Sequence, residues 1–170
     1  MKIAGCVLIL FSGLSLGVFL KRQLKARTEI IADLILSLTA LQNEITFARA
    51  PLEEAFYKLS RIDGPVGRFY LRCRESMILI PRPPVFTIWE SSLQALFSPI
   101  VFASREYDAM LSLGRDLGAG DAVAQIRSIS YAKEELSQIM ISAREEEKKR
   151  TRMYMGLSVI AAAIIAIAAL

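Results

Sequence analysis

The chain has no histidine, which removes Ser-His-Asp and Cys-His catalysis and any imidazole metal site together. Its two cysteines are Cys6, inside an apolar run, and Cys73, on an apolar helical face where a thiol is core material rather than a nucleophile. An intrachain disulfide is therefore not expected, in keeping with a reducing compartment. Neither GxxxxGK[ST] nor GxGxxG occurs, and "GRDLGAGD" from Gly114 has the glycines of a phosphate cradle without its lysine or preceding strand. The carboxylates come as adjacent runs, Glu53/Glu54 and Glu145–Glu147. Successive helical residues diverge by about 100°, so such runs are solvated faces beside compensating lysines and arginines. Glu44 stands apart because it lies between apolar positions late in a helix; its ordinary roles are an exposed edge or a salt bridge to Arg49. No acid/base pair of defined geometry, no cofactor site and no metal site emerges, and enzymatic activity is not expected.

What remains points to structure or to partners. Trp89 is either an anchor for a partner, since aromatic residues dominate binding hot spots, or a buried bundle tryptophan. "LGRDLGAGD", which holds Gly114 and Gly118, is either a docking loop or a helix ending at Gly118, where glycine permits left-handed conformations. Asp121 is then the N-cap of the final helix.

The elements that must position these residues are framed by two greasy ends. Residues 3–20 and 153–170 are uncharged, mostly apolar runs of 18 residues. Each would extend about 27 Å as a helix, close to a ~30 Å hydrocarbon core. The first run resembles a signal peptide, and "IAGC" mimics a lipoprotein cleavage site. Cys6 precedes the apolar stretch instead of following it, however, and the basic "KRQLKAR" replaces a small-residue cleavage site. An uncleaved anchor is the expectation. Lys21, Arg22, Lys25 and Arg27 follow the first run; Arg144, Lys148, Lys149, Arg150 and Arg152 precede the second. Positive flanks stay cytoplasmic, so the expected organisation is a transmembrane helix over 1–20, a cytoplasmic all-α bundle over 21–152, and a second transmembrane helix over 153–170. Small residues within the runs (Gly5, Gly13, Gly17; Ala162, Ala166, Ala169) either allow close helix contact or are lipid-facing filler.

All charges but Lys2 fall in the central region, which holds 20 basic and 17 acidic side chains for a net charge of +3. That balance makes no case for nucleic acid, and the basic clusters are explained by anionic lipid. Leu24, Ile31, Leu38 and Ile45 are spaced by seven, with Leu34, Leu41 and Ala48 interleaved. This a/d-like stripe predicts a bundle-facing helix, or alternatively a homomeric coiled coil. Pro51, with Glu53 and Glu54 after it, opens a second helix presenting Leu52, Ala55, Phe56 and Leu59. "DGP" at 63–65 turns the chain into a third helix carrying Val66, Phe69, Tyr70, Cys73 and Met77. "IPRPPVF" forbids regular helix over 81–84. Thr87 and Glu90 stand in capping-box spacing, so a fourth helix with Trp89, Leu93 and Leu96 is placed there. Ser98–Pro99 interrupts the pattern. A fifth helix from Ser104 bears Tyr107, Leu111 and Leu113 and stops at the glycines over 114–120. The last, from Asp121, carries Ala122, Ile126, Ile129, Leu136, Met140 and Ala143 and continues unbroken towards Leu170. The prediction is an all-α bundle of about six helices.

Three stretches carry a resemblance: "LQNEITFARAPLEEAF" over 41–56, Trp89 in "WESSL", and "LGRDLGAGDAVAQ" over 113–125, which includes Gln125. In order and spacing they resemble the stage III sporulation protein AB family of endospore-forming bacteria. The resemblance implies a mother-cell membrane protein facing the forespore, in a multi-protein complex that bridges the surrounding membranes and sustains forespore development. Its implied partners are other stage III sporulation proteins, and self-association is compatible with it. That family is similar to the helical F-type platform domains of type II secretion and type IV pilus machines, which by fold-level analogy implies coupling to a secretion-ATPase-like component. No catalytic residues come with the family. The rival expectation is a transporter or channel subunit, which the lack of ionisable residues within both runs disfavours.

Overall fold

Two heptad stripes organise the fold. Helix α1 (Lys25–Ala48) buries Ile31, Leu34, Leu38, Leu41 and Ile45, in alternating steps of three and four residues. Helix α6 (Ala122–Ala169) buries Ile129, Ala132, Leu136, Ile139 and Ala143 in the same rhythm. That spacing keeps one seam of each helix facing a partner helix. The two run antiparallel. Gln42 accepts from Lys133 Nζ at 3.1 Å and donates to Ser130 Oγ at 3.3 Å, whereas near the start of α1 Arg27 meets Glu146 at 3.8 Å. Carried along both helices, the Gln42 register sets Leu41 level with Ala132, Leu38 with Leu136 and Leu34 with Ile139. By length and apolarity alone α1 could cross a membrane; one stripe of it is buried within the bundle.

The structure, a computed structural model, describes residues 25–97, 104–118 and 121–169, of which 96, 151 and 154–169 by backbone alone. The first apolar run, Lys21, Arg22, Leu24 and the Ser98–Pro99 break lie outside the described residues. Between α1 and α6 come α2 (Leu52–Leu59), α3 (Pro65–Met77), α4 (Val85–Leu96) and α5 (Ser104–Leu117). The described residues thus form six helices and no strand, as expected. They divide into one unit of Glu29–Met140 and another made of those within 1–28 and 141–170.

Several boundaries differ from the sequence expectation. Helix α4 begins at Val85, not Thr87, because Pro84 stands at the N-cap with φ −55° and ψ 143° and is preorganised to launch a helix. The Thr87–Glu90 capping box is not used. Helix α5 passes through Gly114 to Leu117, and its buried face is Glu106, Ala109, Met110, Leu113, Gly114 and Leu117; Tyr107 and Leu111 are only half-buried. On α6, Ala122 is exposed and Ile126 and Met140 half-buried, so the seam starts at Ile129. Ala48 is exposed as well, because the last turn of α1 (Glu44–Ala48) widens to a π-turn. Arg49 closes that turn at φ 49°, its N–H reaching the Glu44 carbonyl. A left-handed non-glycine residue costs roughly 1–2 kcal/mol.

Within the Glu29–Met140 unit the connections sort to two ends. Gly118 lies against Val85 and Gly114 against Trp89, so α4 and α5 are antiparallel. Leu117 at the end of α5 meets Gln125 near the start of α6. Glu44 at the end of α1 meets Lys58, while Ser37 in mid-helix meets Tyr70. One end of the unit therefore collects residues 49–51 and 78–84 with Gly118 and Asp121. The chain leaves the unit, at Glu29 and Met140, from the opposite end.

The core is aromatic at its centre. Phe56, Phe69, Tyr70, Trp89 and Phe97 form a cluster across α2, α3 and the α4 region, with Phe69 edge-on to Trp89 at 4.7 Å between centroids. Tyr70 is fully buried, and burial holds its phenol well above the ordinary range. It lies 3.0 Å from Ser37 Oγ, whose own proton goes to the Leu34 carbonyl at 2.8 Å; Tyr70 is therefore the donor. Ser37→Ala strands that buried hydroxyl and should cost about 1–3 kcal/mol. Tyr70→Phe added to it should restore part of the loss. Chemical unfolding of the full chain, followed by the fluorescence of its single tryptophan, checks this, and strict additivity would refute the pairing.

Candidate interaction surface

Glycine at position 114 is dictated by Trp89. The indole is fully buried and its Nε1 donates to the Met110 carbonyl at 2.7 Å, one turn earlier on α5. That bond draws the N–H edge of the ring against α5, and a Cβ at 114 would land on the indole Cδ1 and 2.7 Å from Cγ. Trp89 is thus the buried bundle tryptophan of the two expected readings, and Gly114 is a contact rather than a helix stop. Cys73 is core too: it is fully buried, and burial pushes its thiol up to about 12.

The stretch from Leu113 to Gln125 is a corner stitched from both sides. Asp121 Oδ1 accepts from the Ala124 N–H at 2.8 Å and so caps α6, as expected. Gln125 Nε2 donates to the Leu117 carbonyl at 2.8 Å, capping the last turn of α5. Ser128 Oγ donates to Asp116 Oδ2 at 2.7 Å across the same corner. Gly118 makes the turn beside Val85, where a Cβ would sit 2.9 Å from that side chain.

Glu44 is half-buried and pairs with Lys58 at 2.7 Å, not with Arg49. The left-handed twist at Arg49 turns the chain into α2, which brings Lys58 back over Glu44. Lys58 also reaches Glu54 at 3.4 Å, and the Glu44 hydrogen bond raises its pKa. Of the basic flanks, Arg27 and Arg150 share Glu146, at 3.8 and 3.5 Å. Lys25, Lys148, Lys149 and Arg152 are exposed. Exposed pairs of this kind contribute little stability.

Sequence reasoning missed a further group. The Arg74 guanidinium stacks on the Tyr57 ring at 4.6 Å from its centroid. Arg61 lies at 5.3 Å and donates to the phenol oxygen at 3.2 Å, which lowers the Tyr57 pKa. The only prior signal was the i, i+4 spacing of Tyr57 and Arg61; Arg74 arrives by the packing of α3 on α2. Among the described residues no cluster of three metal-ligating side chains occurs. The candidate residues do not converge on a reaction centre. They define corners and exposed arginines, the material of a binding surface.

The family model for stage III sporulation protein AB matches residues 2–169. A solved structure of stage III sporulation protein AB (SpoIIIAB) superposes with a TM-score of 0.67 at 22% identity, covering 73% of this chain and 98% of its own. At that identity the likeness speaks for the fold. No curated protein gives a significant match.

Gly114→Ala gains roughly 1 kcal/mol of helix propensity but overpacks a rigid, hydrogen-bonded indole, a change that costs typically about 1–3 kcal/mol. Net destabilisation is expected in unfolding of the full chain. Adding Trp89→Leu should reverse the sign of the Gly114→Ala effect, and an unchanged sign would show that the indole is not the obstacle.

Proposed function

Because the chain belongs to the stage III sporulation protein AB family and so has a role in sporulation, we propose that it is a non-enzymatic platform of the sporulation transenvelope complex, anchored by both ends in the mother-cell membrane. The single observation that carries this reading is the antiparallel pairing of α1 and α6. It makes the chain enter and leave the Glu29–Met140 unit at one end, which is what two anchors in one membrane require. The uncharged 153–170 segment and the exposed Lys148, Lys149, Arg150 and Arg152 before it fit a span with a cytoplasmic basic flank. Helix α6 continues through this segment to Ala169.

In this reading the bundle does mechanical work. A core of interlocked aromatic rings, with its cysteine thiol held inert, gives a stiff body between membrane and partners. The secretion-type ATPase of the same complex is the partner that the platform analogy supplies. Orientation tests the proposal. In the full chain with Cys6→Ser, Arg105→Cys places a thiol on an exposed position of α5, while Cys73 stays buried. A membrane-impermeant maleimide should leave it unlabelled in intact cells and label it after lysis; labelling of intact cells would place the bundle outside and end the proposal.

A further inference from the structure

The end of the Glu29–Met140 unit that collects residues 49–51 and 78–84 exposes large apolar side chains. Phe47 is 81% exposed on the widened last turn of α1, and Ile80 is 98% exposed in the connection between α3 and α4, next to Leu79 at 57%. Three consecutive exposed apolar residues, Ile78 to Ile80, are not tolerated on a surface without use. Several of the carboxylates there are already engaged. Glu44 and Glu54 are held by Lys58, and Asp121 by the α6 amide. Arg49 and Arg82 are exposed beside Phe47 and Ile80, and Arg61 and Arg74 converge on Tyr57. None of these four arginines has a carboxylate partner among the described residues. Glu53 is exposed nearby, as are Asp63 and Glu75 close to Arg61 and Arg74.

We infer that this end is a docking face for a protein partner that presents acidic side chains around an apolar contact, with Phe47 and Ile80 as anchors and Arg49, Arg61, Arg74 and Arg82 as carboxylate seats. Arginine and aromatic residues in such a mixture are the composition of binding hot spots, and unpaired guanidinium groups recognise carboxylates by paired hydrogen bonds. Both exits of the chain from the unit, at Glu29 and Met140, lie at its other end. The π-turn and the left-handed Arg49 present Phe47 to solvent at a cost in local strain. The inference deepens the platform reading by assigning a surface, and it does not depend on which protein docks.

The test uses the full chain in sporulating cells, with p-benzoylphenylalanine replacing Phe47, Ile80 or, as a control on the side of α1, the 68% exposed Leu36. Photolysis should cross-link positions 47 and 80, but not 36, to a protein other than this one. The attached peptide should contain Asp or Glu. The yield should fall at least about tenfold when Arg74→Glu and Arg82→Glu are combined, roughly the effect of losing 1.4 kcal/mol. A product that is the sporulation ATPase supports both readings; an acidic protein of another kind supports the docking face and removes the ATPase from the platform reading. Cross-links to a second copy or to lipid, no cross-link at 47 and 80, or a yield indifferent to charge reversal would each overturn the inference.

Discussion

Helix α1 is apolar enough to cross a membrane by itself, and it stays in the bundle because α6 and the intervening helices cover it. Everything else follows from that pairing. Five residues on each helix are spent on the seam, and the outer faces keep Glu29 and Asn43 on α1 and Glu134, Glu135 and Gln138 on α6 at the surface. Burying a leucine contributes about 1.5–3 kcal/mol, so the seam outweighs the exposed ion pairs. The polar edge at Gln42, Ser130 and Lys133 contributes register instead, because a slip by one residue would part these groups.

The helices between the two long ones are wedged rather than zipped. Their common element is Trp89, which touches Phe56, Phe69 and Tyr70 while hydrogen bonded to the backbone of α5. A large flat side chain clamped to a glycine lets α4 and α5 approach closely, and the same approach sets Gly118 beside Val85. The apolar Ile78–Ile80 stretch lies in the connection between α3 and α4, exposed.

Periodicity made the helices legible. The seam on α1, the α3 face of Val66, Phe69, Tyr70, Cys73 and Met77, the Asp121 cap and the continuity of α6 can all be read from spacing. What could not be read depended on tertiary approach. Gly114 looks like a terminator until Trp89 is brought against it, and Thr87–Glu90 looks like a cap until the proline before Val85 starts the helix earlier. Glu44 has Arg49 close in sequence, but a left-handed residue turns the chain and delivers Lys58. The Arg61–Tyr57–Arg74 stack joins two helices, and single-sequence spacing holds no record of that.

The central claim is that α1 and α6 of one chain, not of two, seal each other in this register. The most direct measurement is oxidative cross-linking of the full chain carrying Leu41→Cys and Ala132→Cys, with Cys6→Ser and Cys73→Ser removing the native thiols. A disulfide within the monomer, formed much faster than for Leu41→Cys paired with Leu136→Cys, is the expected result. Cross-linked dimers without the intrachain bond, or faster closure of the shifted pair, would contradict the account.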